Sequence, residues 1–182
     1  MRLLLLIFLA TTLHGQELLE NGNFRRGVES WRFNCNKYKG VFPKVTRMDR
    51  KSVVYVQVPQ AGASHDVLLA QDVAVENAGY YRLSVDLRMQ AEGQVRLMVK
   101  QRSKPWKANG LYCAVKPTEK WQRFIAQFQA VDIDPDNPPV LRIDLGELKG
   151  SVMIRDCSLI ALEEAVDVGK WGGKVVSPEP QK

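Results

Sequence analysis

The sequence has few of the side chains on which most metal-binding and nucleophilic enzymes depend. Among its 182 residues there are two histidines and three cysteines, and no Cys-x-x-Cys pair occurs. These shortages argue against a structural zinc site. A Gly-x-Ser-x-Gly nucleophile turn is also missing, so a Ser–His–Asp site would have to be built around His65 without one.

Positive charge is present but not concentrated. The formal net charge is +6 and the pI is about 9.3, yet no run of Lys and Arg exceeds two residues. Because a nucleic-acid interface needs a basic stripe, we predict a mixed-charge surface that binds no nucleic acid.

Only one long apolar run is present, and it lies at the amino end. Met1 and Arg2 precede an apolar stretch that reaches Leu13, which is the pattern of a secretory signal peptide and is too short for a membrane span. We therefore predict a signal peptide over residues 1–15, a mature chain from Gln16 with no membrane span, and a secreted location, extracellular or periplasmic. Removal of this segment takes away the one charge of Arg2.

The three cysteines leave the disulfide question open. Cys35, Cys113 and Cys157 allow three different pairs with one thiol left over, and three buried thiols are equally compatible with the sequence.

The apolar residues that are present alternate with polar ones. Residues 51–59, 80–89, 121–131 and 140–145 show this period of two, and no stretch predicts an amphipathic helix. About ten short strands separated by turn residues predict an all-β fold of two packed antiparallel sheets over residues 16–162. The alternation slips at Arg155 and Asp156, which indicates a bulge or an inward polar pair. Residues 163–182 have lost the pattern and are predicted to be a flexible tail, in which Trp171 is unexplained.

Residues 94–121 are the least regular part of this pattern. The interpretation is a strand, an irregular crossing that carries Trp106 beside Pro105, a turn at Asn109-Gly110, and a further strand that Trp121 opens. Trp31, Trp121, Phe124 and Phe128 stand in strand periodicity and are predicted to pack in the core.

Four motifs in order resemble carbohydrate-binding modules of the family 4/9 (CenC-like) type. LLENGNFRRGVESW (residues 18–31) is similar to their Leu-x-Asn-Gly-x-Phe-x-x-Gly-x-x-x-Trp start, and GYYRLSV (79–85) to their Tyr-x-Leu-Ser-Phe strand. WQRF (121–124) resembles their Trp-Gln-x-Phe strand, and IRDCSL (154–159) their closing strand. The match spans residues 17–162.

This resemblance implies a galactose-binding-like jelly-roll sandwich that binds glycans without cleaving them. It also implies an aromatic ligand platform at the position of Trp106. This sequence differs from the family at the family's structural calcium site, because Arg25 stands where the family has an acid and Arg155-Asp156 replaces a pair of acids. Since a guanidinium removes an oxygen ligand and repels the ion, we expect calcium binding to be weak or absent, with Asp156 as the remaining candidate ligand.

A sugar is held by an aromatic plate under its C–H face and by polar side chains at its edge. Seven residues are candidates for these roles: the plates Trp106, Tyr112 and Tyr38, and the edge groups Arg88, Gln101, Asp86 and Gln57. Packing against loops is the competing interpretation for Tyr112 and Tyr38. Arg82, Arg88, Arg96 and Arg142 are predicted either as surface charge or as one face of a cleft.

The sequence therefore predicts a monomeric, non-catalytic module that binds a poly- or oligosaccharide. Asp86 and Asp144 are predicted on exposed strand faces, and nothing in their spacing recommends them as a hydrolytic pair. The alternative is a protein-interaction or structural jelly roll that has lost sugar binding. A cleft lined by Trp106 and polar side chains would favour sugar, and a flat apolar patch would favour a protein partner.

Overall fold

The structure is a computed structural model that describes residues 15–168 and the backbone of residues 174–180. The described part contains eleven strands and a single turn of 3₁₀ helix, Ser64–Asp66. The strands are β1 (Arg32–Cys35), β2 (Lys44–Met48), β3 (Lys51–Val58), β4 (Val67–Asp72), β5 (Tyr80–Glu92), β6 (Val95–Gln101), β7 (Ala108–Val115), β8 (Gln122–Gln129), β9 (Pro139–Asp144), β10 (Lys149–Leu162) and β11 (Lys174–Pro180). The apolar run of the predicted signal peptide and Trp171 lie outside the described residues.

The strands form two antiparallel sheets that pack face to face as a jelly-roll sandwich. One sheet has the order β1-β4-β9-β6-β7, and the other has the order β11-β8-β5-β10-β3-β2. The all-β prediction is confirmed. Over residues 15–168 and 174–180 there is no α-helix, and so none that is long and apolar enough to cross a bilayer.

The core lies between the sheets and follows the alternation of the sequence. In β5 the inward positions are Tyr81, Leu83, Val85, Leu87 and Met89, which are all buried. The matching inward positions of β8 are equally buried, and the pairing sets Tyr81 opposite Phe128 with their rings 5.5 Å apart. Because every second side chain in these strands is removed from water, burial of apolar area stabilises the two sheets together.

Trp121 does not pack in this core, so that prediction is wrong. The inward residues of β8 have even numbers, and Trp121 shares its odd phase with the outward Arg123. Its ring lies partly buried on the outer face of the six-stranded sheet, where the guanidinium carbon of Arg155 is 3.9 Å from the ring centroid. Trp31, by contrast, is in the core against Phe24 as predicted.

Asp86 is on the outer face of β5, but it is not exposed as predicted. Its side chain is fully buried because Arg123 and Arg155 cover it, with Nε–O distances of 2.8 Å and 3.4 Å. The β-bulge predicted near Arg155 and Asp156 is present: the register of β10 against β5 shifts between Arg155 and Ser158, and Asp156 has a φ of 48°. The bulge delivers Arg155 to Asp86 and leaves the Asp156 carboxylate 2.5 Å from Lys51 Nζ.

The Asn109-Gly110 pair is a bulge inside β7 rather than the predicted turn. Val99 pairs with Leu111 whereas Lys100 pairs with Ala108, so Asn109 and Gly110 are extra residues on one strand. Gly110 has a φ of 105°, and a Cβ there would lie 2.0 Å from the carbonyl oxygen of Gln129. The glycine is required by this close approach as well as by its backbone angle.

The segments at both ends of the domain contact the six-stranded sheet. Glu17 accepts hydrogen bonds from Ser158 Oγ and from the amide of Leu159, which fixes the chain start against β10. Within the predicted flexible tail, Lys174–Pro180 forms β11 and pairs with β8. Its prolines do not forbid a strand because β11 is at the sheet edge, where one side of the backbone needs no partner.

The three cysteines are free thiols. Cys35 and Cys113 lie on the two outermost strands of the five-stranded sheet, about 19 Å apart at the usual strand spacing, which is too far for a disulfide. Cys157 is buried in the opposite sheet. Burial raises the pKa of the Cys113 thiol to about 11, so it stays protonated near neutral pH.

We predict that Asp86→Asn lowers the free energy of unfolding by about 3 kcal/mol, because it removes the charge of the buried carboxylate with which Arg123 and Arg155 both pair. Urea denaturation followed by tryptophan fluorescence measures this. Asp49→Asn is the matched control: that carboxylate is 81% exposed and 3.9 Å from Arg155, so it should change stability by less than about 1 kcal/mol. Equal effects in the two variants would show that the Asp86 cluster is not the stabilising one.

Candidate functional site

A groove of about 960 Å³ lies on the outer face of the five-stranded sheet and draws residues from all five strands. Its floor combines apolar side chains with one ion pair, and its walls are aromatic, polar and charged. The lining residues are Arg32, Phe33, Asn34, Asn36, Ser64, His65, Leu68, Ala70, Met98, Lys100, Arg102, Trp106, Tyr112, Val140, Arg142 and Asp144.

Strand register explains why these residues meet. Arg32 is opposite Ala70, Ala70 is opposite Arg142, Arg142 is opposite Met98, and Met98 is opposite Tyr112. One row of outward side chains therefore crosses the whole sheet. The residues between them in each strand point to the core, so the groove and the core are set by the same alternation.

Two exposed aromatic rings form one side of the groove. Trp106 is 46% exposed and Tyr112 is 53% exposed. Each has a cation over its ring: Lys100 Nζ is 5.7 Å from the Trp106 centroid, and the Arg96 guanidinium carbon is 5.5 Å from that of Tyr112. Arg96 also donates to the Tyr112 hydroxyl at 3.1 Å, which fixes the direction of the phenol.

Trp106 sits on the turn between β6 and β7, and Asn137 holds that turn. The Asn137 side chain is buried. Its Oδ1 accepts from the amide and the hydroxyl of Ser103 at 3.0 and 2.9 Å, and its Nδ2 donates to the carbonyls of Ser103 and Lys104 at 3.1 and 3.0 Å. Four hydrogen bonds from one buried amide order the backbone that carries the indole.

Gln101 closes the base of the same turn. It is buried. Its backbone N–H donates to the carbonyl of Lys107 at 2.9 Å, and its side-chain Oε1 accepts from the backbone N–H of Lys107 at 3.2 Å. Its side chain therefore supports the position of Trp106 and does not line the groove.

Arg142 and Asp144 form a two-bond ion pair in the floor of the groove. The Arg142 guanidinium donates to the Asp144 carboxylate at 2.9 and 2.7 Å. Asp144, predicted on an exposed strand face, is buried at 1% exposure. Burial raises the pKa of Asp144, and the hydrogen bond from Arg142 offsets part of that rise.

Asp72, the last residue of β4, forms ion pairs with two arginines that line the groove. Arg32 donates to it at 2.6 and 3.0 Å, and Arg102 pairs with the same carboxylate. The hydrogen bond from Arg32 is the main reason that the pKa of Asp72 is held below its usual value. Asp72 therefore stays ionised and ties β1 to the chain that follows β6.

The structure brings together two of the seven candidate residues, Trp106 and Tyr112. Three others, Arg88, Asp86 and Gln57, belong to strands of the six-stranded sheet. Gln57 accepts a hydrogen bond from the Tyr55 hydroxyl at 2.7 Å, and the buried Nε of Arg88 makes no hydrogen bond to the described residues.

The remaining candidate plate, Tyr38, is partly buried against the core, and its hydroxyl is buried. Arg82, like Arg88, is on the six-stranded sheet, so of the four arginines Arg142 lines the groove and Arg96 touches it through Tyr112.

Sequence reasoning missed Arg32, Asn34, Lys100 and Asn137. Lys100 and Asn34 are out of phase with the apolar residues of their strands, which was the available signal. The sequence did not show which strands are neighbours, because β1, β4, β9 and β6 are adjacent in space but not in sequence. Asn137 gave no signal, because it lies in a loop rich in Asp and Pro.

No protein-family model and no curated protein matches this chain. Several solved structures share its fold. One described as "CBM4 structure and function" has a TM-score of 0.60 at 17% identity, covering 79% of this chain and 99% of its own. The second N-terminal cellulose-binding domain of Cellulomonas fimi β-1,4-glucanase C has a TM-score of 0.61 at 18% identity, covering 82% and 97%.

The CBM22-1 xylan-binding domain from Paenibacillus barcinonensis has a TM-score of 0.58 at 15% identity, covering 83% of this chain and 97% of its own. At such identities the likeness is one of fold. The chain thus has the fold of carbohydrate-binding modules, which is the fold that the sequence resemblance implied.

We predict that Asn137→Ala weakens ligand binding although Asn137 is beneath the groove and not in it, because the turn loses the four bonds that hold Trp106 in place. The loss of stability should be about 1–3 kcal/mol, the range for unsatisfied buried groups. Binding is measured by isothermal titration and Trp106 mobility by fluorescence quenching. Asn21→Ala is the control, since Asn21 also bonds to a turn but lies outside the groove. If both variants bind alike, Asn137 has no positioning role.

Proposed function

We propose that this chain binds a poly- or oligosaccharide without cleaving it, in the groove on the five-stranded sheet. The observation that carries the proposal is the groove itself, where exposed Trp106 and Tyr112 rings stand beside polar and charged side chains and above a largely apolar floor. A flat apolar patch, which would have favoured a protein partner, is not what surrounds Trp106.

The chemistry of the walls suits a pyranose. The C–H face of a sugar ring is apolar and loses water favourably against an indole or phenol ring. Its hydroxyls need partners in the plane of the ring, and Asn34, Arg142 and His65 offer them from the groove. The solved structures of similar fold include cellulose-binding and xylan-binding domains, which supports the same class of ligand here.

The two carboxylates at the groove support a non-catalytic role. Glycoside hydrolysis needs one carboxyl group that gives a proton and another that attacks or activates water. Asp144 is bonded twice to Arg142, and Asp72 is shared by Arg32 and Arg102. A carboxylate whose oxygens are bonded to guanidinium groups is poorly suited either to give a proton or to attack or activate water.

We further infer a monomer that works outside the cell and needs no calcium. The predicted signal peptide supports export. The candidate ligand Asp156 is 2.5 Å from Lys51 Nζ, so an ammonium already neutralises it, and Arg25 is an exposed cation where the resembling family has an acid.

We predict that Trp106→Ala weakens binding of an oligosaccharide by about 1–3 kcal/mol, the range for aromatic anchors at interfaces. Tyr112→Ala should weaken it less, because the phenol offers a smaller ring. Melting temperatures of both variants should stay close to that of the unmodified chain, since both rings are about half-exposed. Titration of soluble cello- and xylo-oligosaccharides, with a thermal melt of each variant, measures both effects.

Trp121→Ala is the control for this comparison. Trp121 is on the opposite sheet under Arg155, so its removal should lower stability and leave affinity unchanged. The assignment of the groove fails if Trp106→Ala binds normally while Trp121→Ala does not.

A further inference from the structure

The groove holds more positive than negative charge. Four of its lining side chains are cations, and two carboxylates lie among them in the described part of the chain. The cations are Arg32, Lys100, Arg102 and Arg142, and the carboxylates are Asp72 and Asp144. This excess of two charges is local, since it comes from one face of one sheet and not from the diffuse basicity of the sequence.

The pairing inside the groove shows where the excess lies. Arg142 and Asp144 neutralise each other through two hydrogen bonds. Asp72 carries one negative charge and faces both Arg32 and Arg102. Each of those guanidiniums is about half-exposed, so both keep N–H donors that point to solvent.

Lys100 is the cation without an ion-pair partner. Its ammonium has no carboxylate within 4.0 Å among the described residues, and the nearby Asp144 is already bonded to Arg142. Partial burial, and next the repulsion of Arg142, lower the pKa of Lys100. The protein therefore holds a partly desolvated charge beside Trp106. The indole face and the more distant Asp144 carboxylate attract this charge, but the pKa is still lowered, so they offset only part of the cost of its burial.

We propose that the ligand of this groove is an acidic glycan, in which a sugar stacked on Trp106 places its carboxylate or sulfate group against Lys100. This inference rests on the proposed function and names the substrate class of the same site. The ammonium is 5.7 Å from the centre of the indole, a separation that suits an acidic group projecting from a stacked ring. Arg32 and Arg102 then supply the positive charge for the next acidic residue along the polymer.

A neutral glycan would fit these residues less well. Its hydroxyls can accept hydrogen bonds from Lys100, but they cannot replace the lost hydration of a charge as a counter-ion does. Hydrogen bonds between two charged groups are shorter and roughly twice as strong as neutral ones. The two unbalanced charges of the groove thus favour an anionic polymer over an uncharged one of the same shape.

The test compares glycans that differ only in charge. Affinity electrophoresis of the full chain is run against polygalacturonate and its methyl-esterified form, and against κ-carrageenan and its desulfated form as the sulfated and neutral pair. The acidic member of one pair should bind about tenfold more tightly, the factor expected of one charge-assisted hydrogen bond. Which pair shows the difference tells carboxylate from sulfate. The preference should fall as salt screens the groove.

Lys100→Met is the variant that locates the effect, because it keeps the aliphatic stem and removes the charge. It should lose most of the preference for the acidic polymer, whereas Lys149→Met, an exposed lysine on the other sheet, should keep it. Asp72→Asn should raise affinity for the acidic polymer severalfold, because it frees Arg32 and Arg102.

Three results would overturn the proposal, and they differ in what they leave standing. Equal binding of the esterified and acidic forms means a neutral-glycan site and leaves the proposed function intact. Equal losses from Lys100→Met and Lys149→Met, or equally tight binding of poly-L-glutamate, mean diffuse surface charge. If neither pair binds and neutral xylan and β-glucan do not bind either, the proposed function fails as well.

Discussion

Each outward side chain in the groove is fixed in place by inward neighbours that are buried in the core. Met98 faces the groove because Leu97 and Val99 face the other sheet, and Arg142 does so because Leu141 and Ile143 do. A slip of one residue in either strand would bury the cation and expose the leucine, at a large cost in hydrophobic free energy. The positions of the strand residues in the groove are therefore maintained by the packing of the sandwich, whereas Trp106 depends on the hydrogen bonds that Asn137 makes to its turn.

The two outer faces of the sandwich have different physical characters. On the six-stranded sheet, Asp86 is covered by Arg123 and Arg155, and the Arg155 guanidinium covers Trp121. The charged groups and the Trp121 ring of that face therefore contact one another. On the five-stranded sheet the rings are half-exposed, and among the described residues Lys100 has no carboxylate within 4.0 Å. A surface whose groups already satisfy one another stabilises the fold, whereas one whose groups do not can bind something else.

The alternation of the sequence was sufficient for the strands and the core, because period two is a local property. Residues 80–89 and 121–131 form strands with the predicted core side chains, apart from Trp121. The site required knowledge of which strands are neighbours, and this depends on contacts far apart in sequence. Trp106 and Tyr112 were candidate aromatic plates, Trp106 because it stands outside the alternation, and both line the groove; nothing in the sequence showed that Arg88, Asp86 and Gln57 belong to the other sheet. The strand β11 was missed because backbone pairing does not require an alternating pattern.

The first strand of the five-stranded sheet has a consequence for motion. β1 is four residues long, and within the described part of the chain β4 is its one neighbouring strand, so few hydrogen bonds hold it in the sheet. Its amides should exchange with solvent faster than those of the central β9, since short edge elements open with little free energy. A polymer across the groove would touch Arg32 and Asn34 on β1 as well as Tyr112 on β7. The bound ligand would then hold the edge strand β1 against the rest of the sheet. Slower deuterium uptake by the β1 amides would therefore indicate binding.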